Sequence, residues 1–270
     1  MSLPGMTASI RSFIAAAALA ALAGCASFGS GKSPSPQSPT ATRIVTHVVT
    51  HDAKLIGSAV GGVRVSIRDA ATGRLLAEGR HEGGTGDTRR IMQEPRKRGE
   101  DVFTAGDGAR YVATITLTEP TMVDVTAEGP LNYPDQMARA SKRLWLFPGR
   151  DVTGDGVVLE MHGYVVDLLA PDTTAALRAS SRVPVRARVR MLCSCPTQPG
   201  GMWEVGDVVA RLVRDGMVVR EGKLAYAGEG STYAGEIELP AEGRYALEIL
   251  AANPGAATFG MVRRWVNVAR

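Results

Sequence analysis

The sequence predicts an all-β chain, two tandem β-sandwich domains behind an N-terminal signal peptide and a disordered tether. Three observations predict it. Nearly every ordered segment alternates apolar and polar residues with the two-residue period of half-buried strands. Turns rich in glycine and aspartate punctuate those segments at short intervals. After the first 25 residues no long stretch carries apolar residues at helical spacing, and only a short helical turn near Asp135 to Lys142 is expected.

Residues 1–24 carry one basic side chain, Arg11, then an apolar run from Phe13 to Leu22, then small residues. That is the order of a secretory signal, and ten apolar residues fall short of the ~20 that a membrane-spanning helix needs. The run ends in Leu22-Ala23-Gly24-Cys25, which resembles the lipobox of bacterial lipoproteins. The resemblance implies cleavage before Cys25, a covalent lipid on its thiol, and attachment to a membrane on the non-cytoplasmic side. Ala26, where lipoproteins held at the inner membrane often carry Asp, implies the outer membrane, on the leaflet facing the periplasm.

Residues 25–42 are rich in Ser, Pro and Gly and cannot bury enough apolar surface to offset their ordering entropy, so they are expected to form a flexible tether. Pro34, Pro36 and Pro39 stiffen it, at up to ~3 Å per residue. The globular part is expected from Arg43 and divides into domains at 43–170 and 171–270.

In the first domain Val63-Arg64-Val65-Ser66-Ile67-Arg68, Tyr111 to Leu117 and Val123 to Glu128 alternate as strands. The segment Gly62 to Gly79, a strand, an Asp69-Ala70-Ala71-Thr72-Gly73 turn and a second strand, resembles the opening hairpin of transthyretin-like, carboxypeptidase regulatory-type domains. Such modules are accessory parts of larger proteins, which implies no activity of its own. Asp151-Val152-Thr153-Gly154-Asp155-Gly156 resembles the first half of an EF-hand or dockerin calcium loop, which would make Asp151, Thr153 and Asp155 ligands. Thr153 at the third position and His162 at the twelfth depart from that pattern, and a glycine-rich turn is the reading preferred.

The boundary is placed at Leu169-Ala170-Pro171-Asp172. Beyond it come Val183 to Met191, a hairpin Val208–Val213 and Met217–Arg220 around Asp215-Gly216, Tyr233 to Leu239, Arg244 to Leu250 and Val262 to Val268. Asp-Gly between alternating runs suits a type I′ turn. This half resembles an immunoglobulin-like sandwich.

The alternation of Val183, Val185, Ala187, Val189 and Met191, if continued, puts Cys193 and Cys195 on the same inward face. A disulfide between residues i and i+2 of an extended strand would demand a bend or bulge. A structural thiol pair or disulfide, a soft-metal site such as Cu(I) on Cys193, Cys195 and Met191, and bonding to a partner remain open. His47 and His51, four apart, are read as exposed or edge-strand residues, and Trp145, Trp203 and Trp265 as core or rim.

The net charge is +4, and +3 once Arg11 leaves with the signal, too small a bias to argue for nucleic acid. Arg89, Arg90, Arg96, Lys97 and Arg98 cluster without interleaved aromatics and read as a solvated loop. No nucleophile elbow, phosphate loop or dinucleotide fingerprint is present in the sequence. The expectation is a non-enzymatic, membrane-anchored periplasmic binding or scaffold module whose partner is another envelope protein, with no cofactor beyond the lipid on Cys25. The alternative is a periplasmic copper-binding or delivery protein using Cys193 and Cys195.

Overall fold

A computed structural model describes residues 38–104 and 106–270. Cys25, the signal and the tether up to residue 37 lie outside the described residues. Strand dominates the described residues, at 57% against 6% helix.

Eight strands come first: β1 (Thr40–Thr50), β2 (Val63–Asp69), β3 (Leu75–His81), β4 (Tyr111–Leu117), β5 (Thr121–Gly129), β6 (Ala138–Leu146), β7 (Val152–Met161) and β8 (Tyr164–Ala170). Eight follow: β9 (Leu177–Arg178), β10 (Arg182–Met191), β11 (Asp207–Arg214), β12 (Met217–Lys223), β13 (Ala225–Tyr226), β14 (Thr232–Glu238), β15 (Gly243–Asn253) and β16 (Thr258–Ala269). They form four sheets, ordered β4-β1-β7, β3-β2-β5-β6, β13-β14-β10-β8 and β12-β11-β15-β16-β9.

The first two sheets enclose one core. Val63, Val65 and Ile67 of β2 and Val123, Val125 and Ala127 of β5 are fully buried, packed with Ile44, Val48 and Leu159 of the facing sheet. Alternation puts these side chains on one face of each strand, and burial of that face is the driving force. The last two sheets enclose a second core around Val185, Ala187, Val189, Leu212, Leu247 and Ile249.

Both expected hairpins are present. Asp69 Oδ1 accepts from the amides of Ala71 and Thr72, closing the β2–β3 turn. Asp215 and Gly216 have φ of +52° and +78°, the two left-handed positions of a type I′ turn.

Four expectations need correction. Thr40 to Thr42 belong to β1 and not to a tether, because Thr42 is buried and its hydroxyl donates to the Phe147 carbonyl (3.2 Å) and accepts from Gly149 N (2.9 Å). β8, expected to close the first domain, instead pairs antiparallel with β10 in the sheet β13-β14-β10-β8. In place of a helical turn over Asp135 to Lys142 there is one 3₁₀ turn, Pro134–Gln136, followed by β6. Trp145 and Trp265, read as core or rim, lie on the surface at 55% and 54% accessibility. Trp265 sits one residue off the inward set Val262, Val266 and Val268, so the strand period turns it outward.

The modules are joined by more than the connector. Val165 and Leu192 pack into the first core, and Ala53 packs into the second. Gln136 exchanges hydrogen bonds with the backbone of Val166 (2.8 Å each), and Arg190 donates to Tyr133 Oη (2.7 Å), Asp167 (2.9 Å) and Ser194 (2.7 Å).

Candidate functional site

β1 is the middle strand of its sheet, antiparallel to β4 and parallel to β7. It buries both faces, which explains its near-continuous apolar run. Ile44 and Val48 face the first core, whereas Val49 packs under the long connection from β3 to β4. That connection folds a single π-turn, Arg89–Gln93, and lays Ile91, Val102, Phe103 and Ala109 over Val49 and Leu55 as a third apolar cluster.

β7 pins the connection in place. Between Val152, opposite Ile44, and Val157, opposite Thr46, its register shifts through a bulge where Gly154 and Gly156 have φ of +64° and +58°. A Cβ on Gly156 would run into the Val45 carbonyl. The bulge projects Asp155, whose carboxylate accepts from Val102 N (2.8 and 2.9 Å) and Phe103 N (2.7 Å). Asp151 accepts from Arg43 N (2.8 Å), and Thr153 lines a small cavity beside His47. The expected calcium-like loop is thus a bulged strand whose carboxylates hold backbone amides, and His162 stands at the far end of β7, beyond Met161.

Under the connection lies a cleft of about 770 Å³. Val49, Ile91, Phe103 and Val158 form its apolar lining, and Arg96, Lys97, Glu94, Glu100 and Glu160 bring charge of both signs. The Arg96 guanidinium lies 5.4 Å from the Phe103 ring centre, so part of the basic run expected in solvent is anchored by a cation–π contact.

The four histidines divide by environment. His81 is fully buried. Its Nδ1 donates to the Ile56 carbonyl (3.0 Å), which leaves Nε2 to accept from Val48 N (3.0 Å). Burial is the main force lowering its pKa, to about 4, with the His47 ring adding to it and the Ile56 hydrogen bond opposing. His81 is therefore a neutral structural residue. His47 is also fully buried and not exposed on an edge, because β1 is paired on both sides. Its Nδ1 donates to the Asp155 carbonyl (2.8 Å), and its Nε2 is buried without a protein partner.

His51, which lines the cleft, meets His162. Their rings stack 4.1 Å apart at 16°. Glu160 Oε1 lies 2.6 Å from His51 Nδ1 and 3.4 Å from His162 Nε2. Sequence reasoning missed this cluster because 109 residues separate His51 from Glu160. The only signal is that Glu160, near the end of β7, and His162, just past it, are two residues apart, and the parallel register Val49 to Glu160 then brings His51 beside them.

The second module holds the sulfur residues. β10 ends at Met191, and the chain turns through Ser194, which has φ of +66° and donates its amide to the Met191 carbonyl (2.8 Å). Met191 N donates to the Cys195 carbonyl (3.0 Å), and Cys193 and Cys195, 5.3 Å apart at Cα, are bonded as a disulfide. The strand does not continue as the alternation suggests; the turn supplies the bend that an i, i+2 bridge needs. Both sulfurs being in the bond, they offer a metal no thiolate unless reduced.

No family model and no curated protein matches the chain. Among solved structures it is similar to an engineered protein at 26% identity and a TM-score of 0.29, over 46% of this chain and 24% of that one, so it spans about a quarter of that protein's length. It is also similar to the fibronectin(III)-like modules of Clostridium thermocellum CbhA, at 12% identity and TM-score 0.27 over 84% and 92% of the two chains. A third is the tip fimbrial protein Mfa3 from Porphyromonas gingivalis, at 9% identity and TM-score 0.29 over 86% and 82%.

Proposed function

We propose that the chain is a non-enzymatic binding or scaffold module of the bacterial cell envelope, tethered by a lipid on Cys25 to the periplasmic leaflet of the outer membrane. The observation that carries the binding part is the cleft of about 770 Å³ beneath the β3–β4 connection. Its apolar floor suits an apolar anchor, and charges of both signs at the rim suit a polypeptide segment of another envelope protein. Two groups with acid–base potential are committed to structure: His81 is kept neutral chiefly by burial and bonded on both ring nitrogens to backbone, and the Asp155 carboxylate accepts from the amides of Val102 and Phe103. The lipobox and the Ser/Pro/Gly stretch support the tether, which at up to ~3 Å per residue lets the cleft reach a few nanometres from the lipid.

A photo-cross-linking residue placed at Lys97 or Glu100 in living cells tests this. The expected result is one dominant protein adduct from the cleft positions and none from Arg220 or Glu221 on β12. Equal, diffuse labelling from all four positions rejects the cleft as the binding surface.

A further inference from the structure

We infer that His51, Glu160 and His162 form a binding site for a divalent transition-metal ion of the zinc type, set at the joint between the two modules. The donor set comes first. Two imidazole nitrogens and one carboxylate oxygen suit zinc and its neighbours better than calcium or magnesium, which prefer all-oxygen shells. One donor atom from each of His51, Glu160 and His162 lies within 4.8 Å of the other two. A tetrahedral ion with bonds of ~2.0–2.1 Å spaces its donor atoms about 3.3 Å apart. The two distances from Glu160 Oε1, 2.6 and 3.4 Å, bracket that spacing. The His51 and His162 rings, stacked at 4.1 Å and 16°, must turn out of the stack to aim both nitrogens at one ion, and the exposures of 32%, 52% and 40% for His51, Glu160 and His162 leave room for that.

The backbone holds the donors together independently of their side chains. The parallel β1–β7 register sets Thr50 beside Met161, and His51 N donates to the Met161 carbonyl (2.9 Å). His51 follows the last residue of β1, Glu160 belongs to β7, and His162 with Gly163 makes the connector to β8. One residue from His51, the Asp52 carbonyl accepts from Trp203 Nε1 of the second module (3.1 Å). An ion held here would tie β1 to the connector and stiffen the joint, which gives it a structural effect apart from any partner. Three protein donors leave a fourth position open, to water or to an acidic group of a partner entering the cleft that His51 and Glu160 both line.

The test is zinc titration of the chelator-treated full chain, followed by calorimetry and thermal unfolding, with the cobalt(II) visible spectrum as a report on donor geometry. The expected result is one zinc per chain, a midpoint that rises with zinc, and cobalt bands of a four-coordinate N/O site. His51→Ala and His162→Ala should each weaken binding by roughly 100-fold or more, and Glu160→Gln by at least about tenfold. All three are surface replacements, and a thermal midpoint unchanged without metal checks that each folds. A Cys193→Ser/Cys195→Ser chain should keep its zinc. No uptake by the wild-type chain, uptake that survives the His51→Ala/His162→Ala double replacement, or uptake lost with the cysteines overturns the inference.

Discussion

His81 makes the acid sensitivity of the first module calculable. In the folded chain its pKa is about 4, against 6.5 when unfolded. Above pH 6.5 the ring is neutral in both states, and its hydrogen bonds from Val48 N and to the Ile56 carbonyl contribute in full. As the pH falls from 6.5 toward 4 the unfolded chain takes up a proton that the folded chain refuses, so stability is lost across that window. A difference of this size corresponds to roughly 3 kcal/mol by pH 4. The assay is urea unfolding of the wild type and His81→Gln between pH 7.5 and 4. The wild type should lose roughly 3 kcal/mol more than the variant over this range. Because Gln replaces the ring as well as its charge, ring NMR of wild-type His81 provides the second readout, with a titration midpoint well below 5. A midpoint near 6.5, or parallel stability curves for the two proteins, refutes the reasoning.

Three further outcomes follow from the described contacts. Glu248 is 1% exposed on the outward face of the five-stranded sheet; burial works against its charge, but hydrogen bonds from Arg211 and Arg263 (2.7 Å each) outweigh it and hold the carboxyl below its usual range. Its stabilisation is therefore present above the unfolded value of 4.5 and lost as the pH falls below it. Glu248→Gln should cost about 2 kcal/mol at pH 7, or about 4–8 °C in midpoint, with little effect at pH 3, and equal shifts at both pH values would contradict the ion-pair account. Asp155→Asn should speed amide exchange at Val102 and Phe103 by about tenfold or more while the second module keeps its protection, and unchanged exchange would show that the carboxylate does not pin the connection. The Cys193–Cys195 bridge closes so short a loop that reduction should cost only roughly 1.5 kcal/mol, which calorimetry with and without reductant measures; collapse of the second module on reduction would refute this.

What the sequence made legible was whatever depends on neighbours along the chain. The alternation of Val63, Val65 and Ile67, the Asp69 turn and the Asp215-Gly216 hairpin all appear where local chemistry placed them. The errors arose where a distant pairing decided the outcome. Asp151 to Gly156 has the composition of a turn, yet pairing with β1 draws it into a strand and spends its glycines on a bulge. Tyr164 to Ala170 reads equally well as the end of one domain or the start of the next, and only its pairing with β10 assigns it. His51, Glu160 and His162 share no local motif, because a parallel pair brings together residues far apart in sequence. Trp265 is a different case: its parity against Val262 and Val266 already pointed outward, and its place in a terminal strand left it read as core or rim.

The envelope reading rests most directly on Cys25, so the decisive measurement is the intact mass and fragmentation of the N-terminal peptide from the membrane fraction. The account predicts a chain that begins at Cys25 and carries a diacylglycerol thioether, lost from the membrane fraction when Cys25 is replaced by Ala. A mature chain that begins elsewhere, or an unmodified Cys25 thiol on a chain that washes off with the soluble fraction, would contradict it.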